Sequence, residues 1–520
     1  MINRTAVSLL TVLFWLLLLL AVLTALASFT WPFGWDQGIF AWVGDVIYRG
    51  GLPYVDGWDI KGPLVYYIYA CAEWVFGRHA WSIRVLDLFL LLSSATVFLR
   101  LLQTWTSHRI AAWSTLLFVL WYASGSYWHT AQPDGWVMML MIPVAALLLR
   151  PADSLRLSAW FVAGVLIGAA TLVKFFYAGF LLVPAVAAVT GRCRPAELSV
   201  RALLCAAGFL LPLLLTAAWF WQQGALDTFV EVTLRYPADT YSLLVQQGIE
   251  ARMRGLVEYL TGGTGVAVIL PLVVFGLVAS WRRSPVLVSV LVAWILVATL
   301  LVVIQNRYFA YHWLPLLPAL VFSAALGAYT LFDYLLSAQG STQAVTRLRG
   351  SLAASLLLVL TLHVSLLPAL EVMHWGAYIV GLETADDYHR HFGSPADDIA
   401  MAELVRSSTE EDDQVVVFGW NSAILFLSGR RSPTRFGFSM PLMQGSAESR
   451  WFVAYRDEFM QALYRQRPAA IVVGTQSDRL LGATYTLSDF LELDEFVRRY
   501  YDTGQQAGAL TLYLRLPESP

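Results

Sequence analysis

Residues 35–63 read WDQGIFAWVGDVIYRGGLPYVDGWDIKGP and follow the first long apolar run of the chain. The segment is polar and rich in glycine and aromatic residues. Its charged side chains include Asp36, Asp45, Asp56, Asp59 and Lys61. Apolar runs dominate the chain after it. We therefore interpret the segment as a loop at the edge of a bilayer, held by a membrane-spanning scaffold.

The composition is that of a polytopic membrane protein. Of the 520 residues, 58% are hydrophobic and 13% are charged, whereas soluble domains are about a quarter charged. The net charge of −2 gives no reason to expect nucleic-acid binding. The three cysteines, Cys71, Cys193 and Cys205, are scattered and form no CxxC pattern, so neither a disulfide framework nor a cysteine metal site is predicted.

The N-terminus has two interpretations. Arg4, the apolar run 9–26 and the small residues around Ala27 imitate a cleavable signal peptide. The run is also long enough to cross a bilayer about 30 Å thick. We favour an uncleaved first helix, because it would tether the loop that carries Asp36.

Apolar runs predict about eleven transmembrane helices, the first at residues 8–29 and the second at 81–102. Two short runs, 157–173 and 175–190, meet at Lys174. Arginines at span ends fall on one side of this arrangement: Arg100, Arg109, Arg150, Arg156, Arg192, Arg194, Arg201, Arg282, Arg283, Arg347 and Arg349. The positive-inside rule makes that side, with the N-terminus, cytoplasmic in a cell inner or plasma membrane.

The opposite, extracytoplasmic side receives the first loop (residues 30–78), the loop before Asp134, Lys174, the loop 222–262 and the end of the chain. Residues 1–371 are predicted to be the membrane domain. Residues 372–520 have the composition of a small soluble α/β domain. In it, 414–419, 469–473 and 510–515 are predicted strands, and strand–helix–strand order suggests parallel pairing.

Four charged residues on the extracytoplasmic side are candidates for chemistry: Asp36, Lys61, Asp134 and Lys174. Each also has a structural interpretation. Either aspartate could cap a helix, Lys61 could extend to lipid headgroups, and Lys174 could be an interfacial anchor. A lysine between two short spans is nevertheless costly at membrane depth, which favours a functional role.

Other polar residues on this side are secondary candidates. Asp45 and Arg49 have the i,i+4 spacing of a surface ion pair, and Asp56 and Asp59 are interpreted as turn residues. Arg307 and His312 are candidate anion-binding groups. Possible substrate-lining residues are Asp59, Tyr66, Tyr67, His129, Tyr308 and His312.

Carboxylates and lysines on one membrane face suit a single type of reaction. A carboxylate can deprotonate a hydroxyl nucleophile. Lysines can bind and neutralise a phosphate leaving group at the lipid interface. A lipid tail would then lie between the spans.

In these residues the chain resembles the GT-C superfamily of integral-membrane glycosyltransferases, in particular protein O-mannosyltransferases, aminoarabinose lipid A transferases and RgtA/B/C/D-like enzymes. Asp36 matches the acidic residue of the first extracytoplasmic loop, and Gln37 stands where a second acid is common. The segment 59–67, DIKGPLVYY, loosely matches an acidic–x–Lys–Pro motif before an aromatic run. Asp134, Lys174 in TLVKFFYAGF and Arg84 match recurrent positions in the spans.

The resemblance implies a polyprenyl-phosphate-linked sugar donor used outside the cytoplasm. Asp36 would be the general base of an inverting attack, and Asp134 would position Asp36 or the acceptor. Lys61 and Lys174, helped by Arg307, would hold the lipid phosphate. The acceptor would be a lipid, a glycan or a protein. Some members bind a divalent cation beside an acidic pair, but with Gln37 here we expect no required metal.

Two other classes of function stay open. An oligosaccharide ligase or polymerase acting on lipid-pyrophosphate-linked glycans would use Arg235, Arg252 and Arg254 of the loop 222–262. A transporter of lipid-linked glycans is less well matched, since the chain shows no internal repeat. A scaffold without activity is a further possibility.

Overall fold

The computed structural model describes residues 4–149, 157–191, 194–241, 248–262, 266–337, 343–443, 449–474, 476–478, 483–502 and 504–517. Arg150, Arg156, Arg192, Cys193 and the side chains of Arg347 and Arg349 lie outside this described part. The first nine helices are Arg4–Ala27 (α1), Trp35–Tyr48 (α2), Pro63–Phe76 (α3), Ser82–Trp105 (α4), His108–Ala123 (α5), Pro133–Leu148 (α6), Leu157–Val173 (α7), Leu182–Thr190 (α8) and Pro195–Gln222 (α9).

The helices after α9 are Leu226–Val230, Ile249–Thr261, Val266–Trp281, Pro285–Gln305, Leu317–Ser337, Gln343–Ile379, Ala385–Arg390, Pro395–Ser408, Ala423–Ser428, Met440–Met443, Arg450–Gln466 and Leu491–Tyr500. Short 3-10 helices occur at Ser28–Thr30, Ser126–Trp128, Phe175–Leu181, Ala310–Leu316 and Leu487–Asp489. Two π-helical turns, Glu231–Arg235 and Pro237–Tyr241, follow Leu226–Val230.

The chain is a multi-pass membrane protein. Six described helical segments are long and apolar enough to cross a bilayer: Leu9–Thr30, Ser82–Trp105, Pro195–Gln222, Pro285–Gln305, Ala310–Tyr334 and Leu358–Ile379. A seventh results if the bent pair Ile249–Thr261 and Val266–Trp281 is one span, and three shorter apolar helices accompany them. The mostly helical fold is therefore confirmed, and the number of about eleven spans stays a prediction.

The segment 30–78 is more ordered than the predicted loop, because α2 and α3 lie within it. Helix α2 begins at Trp35, with Gly34 as its N-cap, so the interpretation of Asp36 as a cap is wrong. Pro63 opens α3 at a position where its missing N–H costs no hydrogen bond. Helices α2 and α3 have only 14 residues each, which is fewer than a membrane span needs. The many glycines of the segment are consistent with turns between short helices.

The chain divides into two compact units. Unit 1 contains residues 1–29, 84–216 and 247–376, and unit 2 contains residues 30–83, 217–246 and 377–520. Helix Gln343–Ile379 continues past the predicted boundary at residue 371. The division into domains 1–371 and 372–520 stays a prediction.

Unit 1 is built from apolar helices that approach closely where glycines face each other. Gly276 and Gly327 lie where Val266–Trp281 crosses Leu317–Ser337, and a methyl group at either would overlap backbone of the other helix. Gly164 and Gly168 of α7 meet α9 in the same way. Such small residues let backbones pack in a membrane, where the hydrophobic effect does not drive helices together.

Unit 2 contains a four-stranded sheet in the order β1-β2-β6-β5, from β1 (Val415–Phe418), β2 (Ala470–Gly474), β5 (Gln505–Ala507) and β6 (Leu510–Leu514). Strands β3 (Gln476–Asp478) and β4 (Ala483–Tyr485) form a separate antiparallel pair. The predicted parallel pairing holds for β1 and β2, but β6 runs antiparallel to both β2 and β5. The short connection from β5 to β6 permits only a hairpin.

Aromatic side chains join the segment after α2 to the C-terminal part of unit 2. Trp58 is fully buried, with ring centroids 5.0 Å from Tyr236, 5.8 Å from Phe438 and 5.9 Å from Tyr455. Its backbone amide donates to the Arg435 carbonyl at 2.6 Å. The segment that carries Asp59 and Lys61 is therefore supported by Tyr236 and by residues of the C-terminal part of unit 2.

We predict that Asp398 makes the stability of unit 2 depend on pH. Burial raises the pKa of its carboxyl from 3.8 to about 7, and the hydrogen bond from Asn421 opposes the shift. The folded protein therefore holds this proton more tightly than the unfolded chain does. The resulting stabilisation is full below about pH 4 and is lost as the pH rises to about 7.

Asp398→Asn keeps an oxygen that accepts from Asn421 and cannot ionise. Its unfolding temperature, measured by calorimetry of the full chain in detergent, should fall less between about pH 4.5 and about pH 7.5 than that of the wild type. Asp412→Asn is the control, because Asp412 is exposed. An equal fall in Asp398→Asn and wild type would contradict the assignment.

Candidate functional site

Lys174 and Asp134 form a buried ion pair in unit 1. Lys174 stands in an extended conformation between the end of α7 and the 3-10 helix Phe175–Leu181. Asp134 lies in the first turn of α6, after Pro133. The Lys174 Nζ–Asp134 Oδ2 distance is 2.6 Å, and the side chains are 6% and 0% exposed. The interpretations of Lys174 as an interfacial anchor and of Asp134 as a helix cap are therefore wrong; the N-cap of α6 is Gln132.

Further groups surround this pair, and we call them together the Lys174 cluster: Asp134, Lys174, Tyr177, Gln305 and Tyr311. The Tyr177 hydroxyl donates to Asp134 Oδ1. Gln305 Oε1 lies 3.5 Å from Lys174 Nζ, and the Tyr311 ring centroid lies 5.7 Å from it. Asp134 thus accepts hydrogen bonds from the Lys174 ammonium and the Tyr177 hydroxyl, and the ammonium also lies near the Tyr311 ring. A buried charge is tolerated only with such compensation.

Unit 2 holds a second group, the Asp36 cluster, which consists of Asp36, Asp59, Lys61, Tyr54 and Tyr66. Asp59 is 1% exposed. It accepts hydrogen bonds from the Tyr66 hydroxyl at 2.9 Å and from the Ile60 amide at 2.8 Å. Lys61 Nζ lies 3.6 Å from Asp59 Oδ1 and 5.5 Å from the Phe40 ring centroid. The interpretation of Asp59 as a turn residue is therefore wrong.

Electrostatics link Asp36 to this group. Burial raises the pKa of Asp59. The positive charge of Lys61 and the hydrogen bond from Tyr66 oppose that rise, and the negative charge of Asp36 adds to it. Asp36 itself is half-buried, in the first turn of α2. The two carboxylates therefore differ: Asp59 is enclosed, and Asp36 is reachable from solvent.

The Gln37 side chain has a structural role at the start of α2, and this role does not require an acid at position 37. Its Oε1 accepts a hydrogen bond from the Gly34 amide at 2.8 Å, and the side chain is fully buried. This contact satisfies the N-cap amide of α2, which is the half of a capping box that does not need a side chain at the N-cap. A neutral amide makes the bond without burying a charge.

Tyrosines order the backbone at Lys61. The Tyr54 hydroxyl donates to the Lys61 carbonyl at 2.8 Å. Tyr54 has a φ of 71°, which is unusual for a residue with a side chain. The hydrogen bond from Tyr54 holds the backbone between α2 and α3, and therefore the position from which the Lys61 side chain extends.

Not all of the predicted residues join these clusters. His312 is buried, with its ring 4.6 Å from that of Tyr311, and so borders the Lys174 cluster. The His129 ring contacts the Tyr122 carbonyl, and the Tyr308 hydroxyl donates to the Arg252 carbonyl at 2.8 Å. Arg307 is half-buried.

Four remaining side chains have ordinary structural contacts. The Tyr67 hydroxyl accepts from the Trp219 indole at 3.0 Å. Asp56 accepts from the Leu52 amide, as a turn residue does. Asp45 and Arg49 pair at 2.8 Å as predicted, although Asp45 is buried and the pair is not at the surface.

The sequence analysis missed Tyr177, Gln305 and Tyr311 of the Lys174 cluster and Tyr54 of the Asp36 cluster. Tyr177 follows Lys174 by three residues, and a polar hydroxyl so close to a buried lysine was an available signal. Gln305 is 131 residues from Lys174, and no local pattern connects the two. Asp36 and Asp59 are the carboxylates of the second cluster that could hold a divalent cation, although Lys61 already supplies positive charge there.

Removing one partner of the buried ion pair should destabilise the protein strongly. Lys174→Met leaves Asp134 without its counter-ion and should lower the free energy of unfolding by about 3–5 kcal/mol. The double variant Lys174→Met/Asp134→Asn removes both charges and should recover most of that loss. Denaturant titration in detergent measures both. A double variant as unstable as the single one would show that the loss comes from packing.

Comparisons with known proteins agree with this architecture. Residues 60–221 match the family described as dolichyl-phosphate-mannose-protein mannosyltransferase. No curated protein sequence matches the chain. The structure resembles ArnT from Cupriavidus metallidurans bound to undecaprenyl phosphate, with a TM-score of 0.65, 15% identity, and coverage of 97% of this chain and 98% of that one.

Apo ArnT from the same organism gives a TM-score of 0.59 and 16% identity, with 98% of each chain covered. Both likenesses extend over nearly the whole chain, so they concern the complete fold. The chain therefore has the fold of ArnT, and its residues 60–221 are similar to the family described as dolichyl-phosphate-mannose-protein mannosyltransferase.

Proposed function

We propose that the protein transfers a sugar from a polyprenyl-phosphate donor to an acceptor hydroxyl on the extracytoplasmic side of the membrane. The acceptor oxygen attacks the anomeric carbon and its proton passes to the Asp36 carboxylate. The bond from the anomeric carbon to the phosphate oxygen breaks, and polyprenyl phosphate leaves with the electron pair. A single displacement of this kind inverts the anomeric configuration.

The buried Lys174–Asp134 pair is the observation that carries the proposal. An ammonium enclosed at the break between α7 and the 3-10 helix is expensive for the fold, and such a group in a membrane protein is by default functional. Asp134 binds the ammonium and fixes its position, and Tyr177 donates to the same carboxylate. A phosphate group at the end of a lipid is a ligand that needs such a cation at membrane depth.

Charge balance favours a role for further cations. Asp134 already neutralises one positive charge, so an incoming phosphate needs more than Lys174 alone. Lys61 and Arg307 are proposed to supply it. Ionisation of Asp59 is disfavoured by burial, which leaves more of the Lys61 charge available for the donor.

Access selects Asp36 as the general base. A base must come within hydrogen-bond reach of the hydroxyl that it deprotonates. Asp59 is enclosed by the Tyr66 hydroxyl and the Ile60 amide, whereas Asp36 is half-buried. Gln37 is occupied as a cap, so Asp36 is proposed to act without a second acid. Asp134 then acts through Lys174, and no metal is proposed.

The polyprenyl-phosphate class of donor is supported by the likeness to ArnT, whose structure was determined with undecaprenyl phosphate. The arginines at the cytoplasmic ends of the spans support an extracytoplasmic reaction. The alternative of a ligase for lipid-pyrophosphate-linked glycans gains no support, because Arg254 forms an exposed i,i+4 pair with Glu250. The acceptor is proposed to be a lipid, a glycan or a protein.

Asp36→Asn should abolish most of the transfer. Removing a general base lowers kcat by about 10²–10⁴-fold, while donor KM should change little. Detergent-solubilised protein is assayed with radiolabelled undecaprenyl-phosphate-linked sugars and an extract of cell-envelope lipids and glycans, and labelled product is counted.

Asp56→Asn is the matched control. Asp56 is an exposed carboxylate of the same segment, and it accepts a hydrogen bond from the Leu52 backbone amide. It should keep wild-type activity. Wild-type transfer by Asp36→Asn would remove Asp36 as the base. Transfer from nucleotide sugars by the wild type, with none from the lipid donors, would overturn the donor class.

A further inference from the structure

A buried carboxylate in unit 1 lies outside every role assigned so far. Asp87, in α4, is 3% exposed. Its Oδ1 accepts from the Trp136 indole at 2.9 Å, and its Oδ2 accepts from the Tyr122 hydroxyl at 2.9 Å. The backbone amide of Ala131 is a further hydrogen-bonding partner. One carboxylate therefore holds side chains from α5 and α6 and the turn between them.

The residues held by Asp87 adjoin Asp134 in the chain and in space. Trp136 lies two positions after Asp134, in the first part of α6. The ring of Tyr122 covers Gly135, where an added methyl group would come within 3.1 Å of its Oη. Tyr122 therefore needs a glycine beside Asp134 to reach Asp87.

Arg84 holds the same turn from one helical turn earlier in α4. It is 2% exposed, and its guanidinium donates to the Thr130 carbonyl at 3.1 Å and to the Thr130 hydroxyl. The turn needs such support, because Ser126 and Ala131 have φ values of 53° and 54°. Residues with side chains adopt this conformation only when their surroundings enforce it.

We propose that Asp87 is a positioning residue that, together with Arg84, fixes the start of α6 so that Asp134 meets Lys174. The inference rests on the proposed function of Lys174 as the cation for the donor phosphate. Asp87 does not touch the donor. It acts through Trp136 and Tyr122, and its loss displaces Asp134 and loosens the ammonium.

Kinetics of Tyr122→Phe and Asp87→Asn test the proposal. Tyr122→Phe removes one hydrogen bond to Asp87 and leaves the carboxylate with other donors, so it should fold. Both variants should raise donor KM, by about tenfold for Asp87→Asn, which corresponds to about 1.4 kcal/mol. Ser94→Ala is the control on the same helix, because Ser94 is buried but bonds only the carbonyl of Leu91 in its own helix; it should leave donor KM unchanged.

A double-mutant cycle separates positioning from general destabilisation. In the Lys174→Met/Asp134→Asn background, Asp87→Asn should change donor KM by less than about twofold, because the groups it positions are gone. A full tenfold effect in that background would overturn the proposal. An unchanged donor KM in Asp87→Asn itself would do the same.

A structure of Asp87→Asn in nanodiscs by electron cryomicroscopy provides a readout that does not depend on the proposed function. Separation of Asp134 from Lys174 is expected. An unmoved pair would overturn the positioning role. If the Lys174→Met/Asp134→Asn background alone keeps wild-type donor KM, the phosphate role fails, and the structure still decides whether Asp87 positions Asp134.

Discussion

The ion pair between Lys174 and Asp134 is the interaction on which unit 1 depends most. A lone ammonium in an apolar interior would be neutralised or expelled, so this lysine requires Asp134, and Asp134 in turn requires the start of α6 to be in place. The break after α7 is the local consequence. Lys174 leaves the helical conformation, and the following 3-10 helix brings Tyr177 back to the same carboxylate. Buried ion pairs contribute little net stability compared with an apolar substitute, so stability alone does not account for keeping this one.

In unit 2 the charged residues Asp59 and Lys61 lie in the segment between the short helices α2 and α3, which must be held in place by other contacts. Trp58 and the aromatic residues of the C-terminal part anchor that segment, and Asp59 is enclosed while Asp36 stays accessible. The contrast between the two carboxylates follows from their neighbours: Tyr66 and the Ile60 amide complete the shell of Asp59. The C-terminal part of unit 2 thus supports the segment through residues such as Phe438 and Tyr455. A part in choosing an acceptor stays a prediction.

The sequence predicted the elements whose signal is local. Apolar runs located α7 at residues 157–173 and most other long apolar helices to within a few residues, because length and apolarity alone define them. They did not locate α2 and α3, whose glycines and aspartates resemble those of a loop, nor the antiparallel direction of β6. The sequence placed Lys174 and Asp134 on the same side of the membrane but did not predict that they pair. The partners Tyr177 and Gln305 of that pair, and the enclosure of Asp59, depend on contacts between distant parts of the chain that no periodicity encodes.

Binding of undecaprenyl phosphate, without any sugar, tests the central claim most directly. Native mass spectrometry would compare wild type with the Lys174→Met/Asp134→Asn variant, in which both charges of the pair are removed together. If Lys174 holds the lipid phosphate, the variant should bind at least about tenfold more weakly, a loss of about 1.4 kcal/mol, while its affinity for a neutral lipid of similar length stays the same. Equal affinity of both proteins for undecaprenyl phosphate would contradict the account.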